Sequence, residues 1–587
     1  MWRLRHAHCS ALETHISAAP PRPSRRAGVG RGAIAPTASH PIARSPLQQP
    51  LSAHTPLHQH QPQSPNISPS MDFNEIAETT HTLRTLHWVE KFREREQDLP
   101  GWMSTFREGH SCVRLTKSFL AGSFNLCFPF EYDDGVKWIL RFSVPGRAMD
   151  PDGKLLREVA VMKHVQAKTN IPVPTMHFWG LSQDNSLDLG AFMIMDYVEG
   201  LRLGDLWKEP SDSHTSRRLR KDISDRDLRL VFAQMARFYL ELYKLRFEEI
   251  GSLVLDDDGK VAIQGPPHTW KMQEIEAHSG VKVGEDRSEA FSSSTSYFRW
   301  VTEHDWKHLN EQPNSVDNAE DARSKYIFNK LFYKAIPHFV APEHETAPFG
   351  LVCDDMCYGN MLVNNEHDLQ IVAVIDWEWS YTAPLQLCYS PPRALLGKLP
   401  YQFWEKEPHC EMERYTEFYG KFLDELKRAE EEQMSDDRST DCKGEERVSV
   451  LMQRSMDDGK FWFNENILSC YMEGNNLPWK KLCQQFPELG NSDDLEEEEI
   501  VRFVEERVKW REMYDENERR IAENQAAKKL SEAQETGSQS GAADEAEMEM
   551  PRADAQQASG EDVVQEKENS GAQERAPKEE ENATDTQ

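Results

Sequence analysis

This sequence has no long hydrophobic run and little cysteine. No apolar stretch approaches the ~20 residues that a membrane-spanning helix needs, and the N-terminus lacks the apolar segment of a secretory signal. The ten cysteines are scattered over 587 residues, and Cys353 and Cys357, the nearest pair, are too isolated to supply the four ligands of a structural zinc site. We therefore expect a soluble, cytoplasmic protein with reduced thiols and no membrane contact.

Positive charge is also in short supply. The chain has 68 Lys and Arg against 99 Asp and Glu, a formal net charge of −31. Nucleic-acid binding needs clustered cations that contact phosphates, so this balance argues against a DNA or RNA partner. Residues 1–70 contribute +6 and residues 538–587 contribute −10, which leaves −27 on the body between them. The body is therefore itself acidic.

The chain does contain enough apolar and aromatic material for a folded body, with 38% hydrophobic residues, 10% aromatic residues and 15 tryptophans. Its 587 residues exceed the roughly 250–300 at which one hydrophobic core stops growing. We expect either several domains or one large domain with tails.

The N-terminal segment differs from this body in composition. Residues 1–70 contain seven Arg, no Lys and one acid, Glu13, among many Ser, Pro, His and Ala. Such a composition cannot build a core, and we predict a disordered tail. An Arg-rich, acid-poor segment is also typical of a mitochondrial transit peptide, and the segment could equally precede a natural start at Met71. A mitochondrial location therefore stays open beside the cytoplasmic one.

The C-terminal end is strongly charged. Residues 495–530 have the charge density and spacing of a long exposed helix, and we assign 515–537 to a helical segment outside the folded body. Residues 538–587 hold 14 acidic and 4 basic residues and almost no large apolar side chains. We predict a disordered acidic tail there, which is a candidate arm for binding a protein partner.

The apolar period changes along the body. Residues 113–143 read as a strand, a Gly-Ser turn, a strand with alternating large apolar residues, a DDG turn and a third strand, which predicts an antiparallel meander. A helical pattern follows at 154–165, an apolar strand at 192–200, and a long helix with one apolar stripe at 227–245. Strands first and helices after indicate an α+β chain with a sheet lobe and a helical lobe.

The stretch 351–381 carries the strongest chemical signal. It places Asp355 five residues before Asn360 on a loop, then a short hairpin, then Asp376 at the end of an apolar strand. Phosphoryl transfer from a nucleotide needs such a set: a carboxylate that accepts the proton of the attacking hydroxyl, and two oxygen ligands that hold magnesium on the phosphates. Asp and Asn are also ordinary turn residues beside a hairpin, but their joint spacing favours the functional interpretation.

The pattern D-x-x-x-x-N followed by I-D-W-E at 375–378 resembles the aminoglycoside phosphotransferase and choline kinase-like family, and is closest to its uncharacterised fungal members. The resemblance implies a protein-kinase-like bilobal fold, with Asp355 as the catalytic base and Asn360 and Asp376 as magnesium ligands. One departure is that Cys353 stands where the family usually has a histidine. Since that histidine mainly shapes the loop, the reacting groups are still present.

The sheet segment supports the same interpretation. LAGSFN at 120–125 resembles the nucleotide loop of the family, because small residues such as Gly122 and Ser123 let backbone N–H groups approach phosphate oxygens. We place Arg141, on an outer strand, where kinases carry a phosphate-binding lysine. Glu158 on the following helix is then placed to pair with Arg141, as kinases require.

The resemblance also divides the body into lobes. It implies that the backbone at Asp196, Tyr197 and Val198 is the hinge that receives the adenine ring of the nucleotide. On this basis residues 71–199 form the nucleotide-binding N-lobe. Residues 200–514 form the helical C-lobe with the catalytic loop, which carries Asp355 and Asn360, and the metal loop, which carries Asp376.

The predicted function is transfer of the γ-phosphoryl group of ATP, with magnesium, to a hydroxyl group of a small molecule. The acidic body leads us to expect a cationic or neutral acceptor. The alternative is a pseudokinase that serves as a nucleotide-sensing or scaffolding module, which Cys353 and Arg141 favour and the retained Asp355, Asn360 and Asp376 oppose. A protein kinase fits less well, because no A-P-E segment follows Asp376.

Overall fold

The computed structural model describes residues 74–116, 119–210, 218–397, 408–436, 446–470, 474 and 476–546. The predictions for residues 1–70 and 547–587 lie outside these ranges. Within them, no helix is both long and apolar enough to cross a membrane. Within the same ranges the chain divides after Ile521 into two units.

The first lobe is built on a six-stranded antiparallel sheet with the order β1-β3-β4-β6-β5, and β2 pairs with β3. Its strands are β1 (Cys112–Arg114), β2 (Leu120–Ala121), β3 (Asn125–Tyr132), β4 (Lys137–Ser143), β5 (Met176–Gly180) and β6 (Phe192–Asp196). The predicted meander is confirmed with two corrections. The first predicted strand is two short ones, β1 and β2. The strand of Arg141, β4, is an inner strand because β6 pairs with its free edge.

Helices cover both faces of this sheet. The helices of the first lobe are α1 (Glu75–Arg95), α2 (Leu99–Ser104) and α3 (Pro151–Lys168). The side chains of Leu126 and Phe128 on β3 are fully buried against Phe92 of α1. Alternate residues of β6 point to the other face, where Met193 packs in the same cluster as Val159 of α3. The period of two read from the sequence therefore produces a sheet that is buried on both faces.

The second lobe is mainly helical, which confirms the predicted α+β architecture. Its helices are α4 (Leu203–Trp207), α5 (Asp225–Tyr243), α6 (Trp270–Ser279), α7 (Ser294–Glu311), α8 (Ala319–Phe339), α9 (Leu385–Cys388), α10 (Pro408–Asp436), α11 (Val448–Asp457), α12 (Lys460–Leu468) and α13 (Leu477–Gln485). The apolar stripe predicted for α5 faces the core, where Phe232 contacts Phe418 and Phe422 of α10 with ring centroids 6.0 Å apart.

Short strands in the second lobe position the loops. They are β7 (Leu201–Arg202), β8 (Ser252–Leu255), β9 (Val261–Gln264), β10 (Gly350–Cys353), β11 (Met361–Val363), β12 (Ile371–Val374) and β13 (Ser380–Ala383). The predicted hairpin is β11–β12, and β7 pairs with its outer edge. Strand β10 pairs with β13, so the loop after β10 and the loop before β13 lie side by side.

The C-terminal helix α14 (Glu497–Ala546) differs from the prediction in two ways. The first turns are not simply exposed, because Ile500 and Phe503 are buried, and Phe503 contacts Tyr326 of α8 with ring centroids 4.9 Å apart. The helix also runs unbroken through the predicted boundary at 514/515 and continues to Ala546, beyond the predicted start of the tail at 538. No proline occurs before Pro551 to stop it.

Candidate active site

A cleft with a cavity volume of about 560 Å³ is lined by residues of the sheet lobe and of the helical lobe. Nine of the ten predicted site residues line it: Gly122, Ser123, Arg141, Asp196, Tyr197, Val198, Asp355, Asn360 and Asp376. The tenth, Glu158, lies behind Arg141 and contacts it. Residues separated by more than 250 positions in the sequence therefore meet at one place.

The predicted nucleotide loop is a tight turn between β2 and β3. The N–H of Gly122 donates to the carbonyl oxygen of Asn125 at 2.9 Å, and the guanidinium of Arg147 donates to the carbonyl oxygen of Gly122 at 3.0 Å. The N–H of Gly122 is thus used inside the turn. A phosphate would have to be met by other donors of this loop, which includes Ser123.

Arg141 connects the sheet lobe to the loop after β12. Its guanidinium, only 3% exposed, forms a hydrogen-bonded ion pair with Glu158 and donates to Oδ1 of Asp376 at 3.0 Å. The predicted pairing of Arg141 with Glu158 is therefore present. The second carboxylate partner was not predicted, and it places the cation directly beside a predicted metal ligand.

Asp376 is held in an unusual conformation. Its φ of 59° lies in the left-handed region, which residues other than glycine rarely adopt and which costs on the order of 1 kcal/mol. Its side chain remains 31% exposed, and it lines the cleft. Burial and the neighbouring Glu378 carboxylate raise the pKa of Asp376 to about 6, against the opposing charge of Arg141.

Asn360 links the catalytic loop to the hairpin. Its amide nitrogen donates to the carboxylate and to the carbonyl oxygen of Asp355, both at 2.9 Å. Its own carbonyl oxygen accepts from the N–H of Ile375 at 2.9 Å. Because the amide nitrogen is bonded to Asp355, the amide oxygen is the atom of this side chain that could bind a metal ion. This oxygen and the carboxylate of Asp376 are hard donors of the type that magnesium binds.

Cys353 and Asp354 precede the predicted base. Burial raises the pKa of the Cys353 thiol to about 12, so the group is neutral at physiological pH. The carboxylate of Asp354 accepts from the N–H of Trp270 at 3.2 Å and from the hydroxyl of Tyr381 at 3.1 Å. Burial raises the pKa of Asp354 to about 6, although Arg393 opposes the shift. Asp354 therefore ties the catalytic loop to α6 and β13.

A second buried cluster went unnoticed in the sequence. Lys154 of α3 forms a hydrogen-bonded ion pair with Glu378 and donates to the side-chain oxygen of Asn125 at 3.0 Å. Asn125 and Glu378 line the cleft, whereas Lys154 lies behind its wall. The sequence does contain a feature that could have predicted the cluster. Lys154 precedes Glu158 by one helical turn, so both side chains lie on the same face of α3.

Comparison with known proteins identifies the domain that carries this cleft. Residues 119–386 match the phosphotransferase enzyme family. The matched segment includes the predicted nucleotide loop, hinge, catalytic loop and metal loop. No curated protein matches the sequence.

Solved structures of phosphotransferases resemble the chain at low identity. The ethanolamine kinase of Plasmodium vivax is 12% identical, with 68% of this chain and 83% of that chain covered and a TM-score of 0.33. The macrolide 2′-phosphotransferase of Brachybacterium faecium is 11% identical, with 62% and 91% covered and a TM-score of 0.30. The GDP and kanamycin complex of APH(2″)-IIIa is 14% identical, with 70% and 98% covered and a TM-score of 0.32.

Proposed function

We propose that this phosphotransferase transfers the γ-phosphoryl group of ATP to a hydroxyl group of a small molecule. The observation that carries the proposal is that Asp355, Asn360 and Asp376 line one cleft with the nucleotide loop 122–123 and with Arg141. A base, two oxygen ligands, a turn of small residues and a cation are the parts that phosphoryl transfer requires.

The donor nucleotide would lie between the hinge and the nucleotide loop. Ile139, Met195 and Leu362 line the cleft together with the hinge backbone at 196–198, so a planar base would meet apolar side chains and backbone hydrogen-bonding groups. The cation of Arg141 would face the phosphates from the floor of the cleft. Its planar fork suits phosphate oxygens, although two of its donors are already bonded to Glu158 and Asp376.

Asp355 would meet the acceptor. It lines both the main cleft and a smaller cavity of about 80 Å³, which is enclosed mainly by helical-lobe residues such as Tyr239 and Arg393. The acceptor hydroxyl would donate its hydrogen bond to the Asp355 carboxylate. As the new O–P bond forms and the bond from phosphorus to the leaving oxygen of ADP breaks, the carboxylate accepts the hydroxyl proton. The amide of Asn360 orients this carboxylate by donating to one of its oxygens.

The residues present fit a magnesium ion. The amide oxygen of Asn360 and the carboxylate of Asp376 would hold it, and the ion would neutralise the negative charge of the transferring phosphates. Asp376 already has Arg141 at one oxygen, so its carboxylate is positioned before any ligand binds.

The charge of the body supports a cationic or neutral acceptor. A net charge of −27 on residues 71–537 produces a negative potential that concentrates cations in a cleft and repels anions. For a cationic acceptor the specificity constant kcat/KM should fall as ionic strength rises from 0.02 to 0.3 M, because salt screens the attraction. A best acceptor that is a carboxylate or a sugar phosphate would contradict this part of the proposal.

The test compares two aspartates that line the same cleft. Asp355→Asn should lower turnover about 10²- to 10⁴-fold, the usual contribution of general base catalysis, and leave MgATP affinity nearly unchanged. Asp205→Asn is the matched control, because Asp205 also lines the cleft but is paired with Lys208 at 2.8 Å. Turnover would be measured over a panel of hydroxylated metabolites, with ATP and GTP in parallel. Equal turnover in wild type and Asp355→Asn would remove Asp355 from the mechanism.

The second candidate function is a pseudokinase that binds nucleotide without transferring phosphate. The observation in its favour is Cys353, a neutral thiol in the position of the histidine that usually shapes the catalytic loop. This alternative predicts that MgATP raises the melting temperature of the protein while no acceptor is phosphorylated and ADP release stays at background. Phosphorylated product in any acceptor assay would exclude it.

A further inference from the structure

Three buried polar side chains form a closed triangle between the two lobes. The ammonium of Lys154 donates to the side-chain oxygen of Asn125 at 3.0 Å and forms a hydrogen-bonded ion pair with Glu378. The amide nitrogen of Asn125 donates to the same oxygen of Glu378 at 2.8 Å. Lys154 is 1% exposed, and the other two are 5% exposed. Each member thus contacts both of the others.

The position of each member in the sequence gives the triangle its significance. Asn125 is the last residue of the nucleotide loop 120–125 and the first residue of β3. Glu378 follows the predicted metal ligand Asp376 by two residues. Lys154 lies on α3, one turn before Glu158. The triangle therefore joins the nucleotide loop, the metal loop and the helix that holds Arg141.

Helix α3 consequently makes two buried ion pairs from one face. Glu158 pairs with Arg141, which contacts Asp376, and Lys154 pairs with Glu378. One pair contacts Asp376 through Arg141, and the other holds Glu378, two residues after Asp376. A shift of the metal loop relative to the sheet lobe would break the contact of Arg141 with Asp376 and that of Lys154 with Glu378, so the helix, the loop and the cation are held in one arrangement.

A buried ion pair is poorly explained by stability alone. Removing two charges from water costs several kcal/mol for each ion, and apolar side chains of similar volume would join the lobes as well or better. Apolar packing is already present beside the triangle, because Phe124 of the nucleotide loop contacts Trp379 with ring centroids 5.0 Å apart. What the charged triangle adds is a directional constraint on Asn125 and Glu378, and this constraint favours a positioning role.

We propose that Lys154 is a positioning residue that holds the nucleotide loop, through Asn125, in register with the metal loop, through Glu378. The proposal rests on the proposed function, since it assumes that the cleft binds MgATP. Lys154 itself would touch neither nucleotide nor metal. Its loss would leave the carboxylate of Glu378 without its cation beside Asp376 and would free Asn125 to move with the loop.

The experiment measures MgATP affinity by calorimetric titration, alongside the melting temperature and the KM for ATP. Lys154→Met, which removes the charge and keeps the length, should weaken MgATP binding and raise the KM about 10- to 100-fold, the usual effect of losing a group that supports metal or phosphate ligands. Lys154→Arg keeps a cation and should restore affinity to within a few fold of wild type. A role in stability alone would not produce this rescue together with a selective effect on KM.

Lys271→Met is the matched control for the loss of a buried lysine. Lys271 is 2% exposed and pairs with Asp305 at 2.5 Å, but it does not line the cleft. This variant should lower the melting temperature and leave MgATP affinity within two-fold of wild type. If Lys154→Met also stays within two-fold, or if the two variants weaken affinity equally, the proposal is overturned.

Asn125→Ala is a second variant that breaks the triangle without leaving an unpaired charge. It tests the proposal even if Lys154→Met does not fold. Asn125→Ala should also weaken MgATP binding. The double variant with Lys154→Met should lose little further affinity, because both substitutions disrupt the same triangle. Fully additive losses would overturn the proposal. Since the readout is nucleotide affinity, MgATP binding without transfer in wild type would overturn the proposed function alone, whereas no MgATP binding at all would overturn both.

Discussion

Asp354→Asn should stabilise the protein at neutral pH but not in acid. The carboxylate of Asp354 sits beside the predicted base, where it accepts from the N–H of Trp270 and the hydroxyl of Tyr381. Burial raises its pKa from the ordinary 3.8 to about 6, with Arg393 opposing the shift. At neutral pH the Asp354 carboxyl is therefore ionised in surroundings that favour its neutral form.

The sign of the effect follows from proton linkage. Between pH 3.8 and about 6 the folded protein binds a proton at Asp354 that the unfolded chain has released. Stability at this site therefore falls as pH rises through this window and levels off above it. A shift of about two pKa units corresponds to ~3 kcal/mol, and partial exposure of the residue reduces this to ~2 kcal/mol.

The substitution removes the charge and keeps the shape. Asparagine can still accept from Trp270, and the hydroxyl of Tyr381 can turn to accept from the new amide, so we expect the lost hydrogen bonding to cost at most about 1 kcal/mol. The variant should be equal to wild type, or slightly less stable, below pH 4. Above pH 6.5 it should be more stable by roughly 1–2 kcal/mol.

The assay is a series of thermal melts of wild type and variant from pH 4 to pH 8. The difference in Tm in favour of the variant should grow by about 2–4 °C across the series. Asp258→Asn is the control, because the Asp258 side chain is 76% exposed and should give a constant difference. A Tm difference for Asp354→Asn that does not change with pH would show that ionisation of Asp354 does not lower the free energy of unfolding. This result would refute the reasoning.

Three further outcomes are expected. Asp376→Asn should abolish the part of the ATP-induced rise in Tm that depends on magnesium, because it removes an anionic ligand; melts with ATP, with and without magnesium, test this. Trp379→Leu should lower stability by roughly 2–4 kcal/mol, seen as a lower urea midpoint, because the indole is fully buried against Phe124. Glu465→Gln should lower stability by about 3 kcal/mol in the same assay, because Arg393 donates to both oxygens of Glu465, at 2.7 and 3.1 Å, and would keep a buried charge without its partner. Unchanged midpoints or an unchanged magnesium response would contradict these expectations.

Local sequence patterns were sufficient to predict many of the strands and helices of this protein. The alternation of large apolar residues at 124–130 predicts β3, and the stripe at 227–245 predicts α5, because each depends only on the period of its own backbone. The relative placement of Asp355, Asn360 and Asp376 was also readable, since one loop and one hairpin contain all three within 22 residues. Chemistry that is carried by neighbouring residues can be predicted from their spacing.

Other features depend on which elements pack against each other, and the period of apolar residues in the sequence does not identify these partners. An apolar stripe shows that a face is buried but not what covers it, so the contact of Phe503 in α14 with Tyr326 appears only in the fold. The inner position of β4 likewise depends on β6, which lies some 50 residues further along the chain. Contacts of this kind arise from how the lobes pack.

The polar groups of the cleft show the same division most clearly. The sequence by itself was enough to predict a base and metal ligands, because two carboxylates and an amide at that spacing are the groups that phosphoryl transfer needs. Only the tertiary structure decided that Asn125 and Glu378, 253 residues apart, would share Lys154, and that Asp354 would be buried beside Tyr381. The free energy of a buried charge depends on the distance to its partners, and folding alone sets that distance.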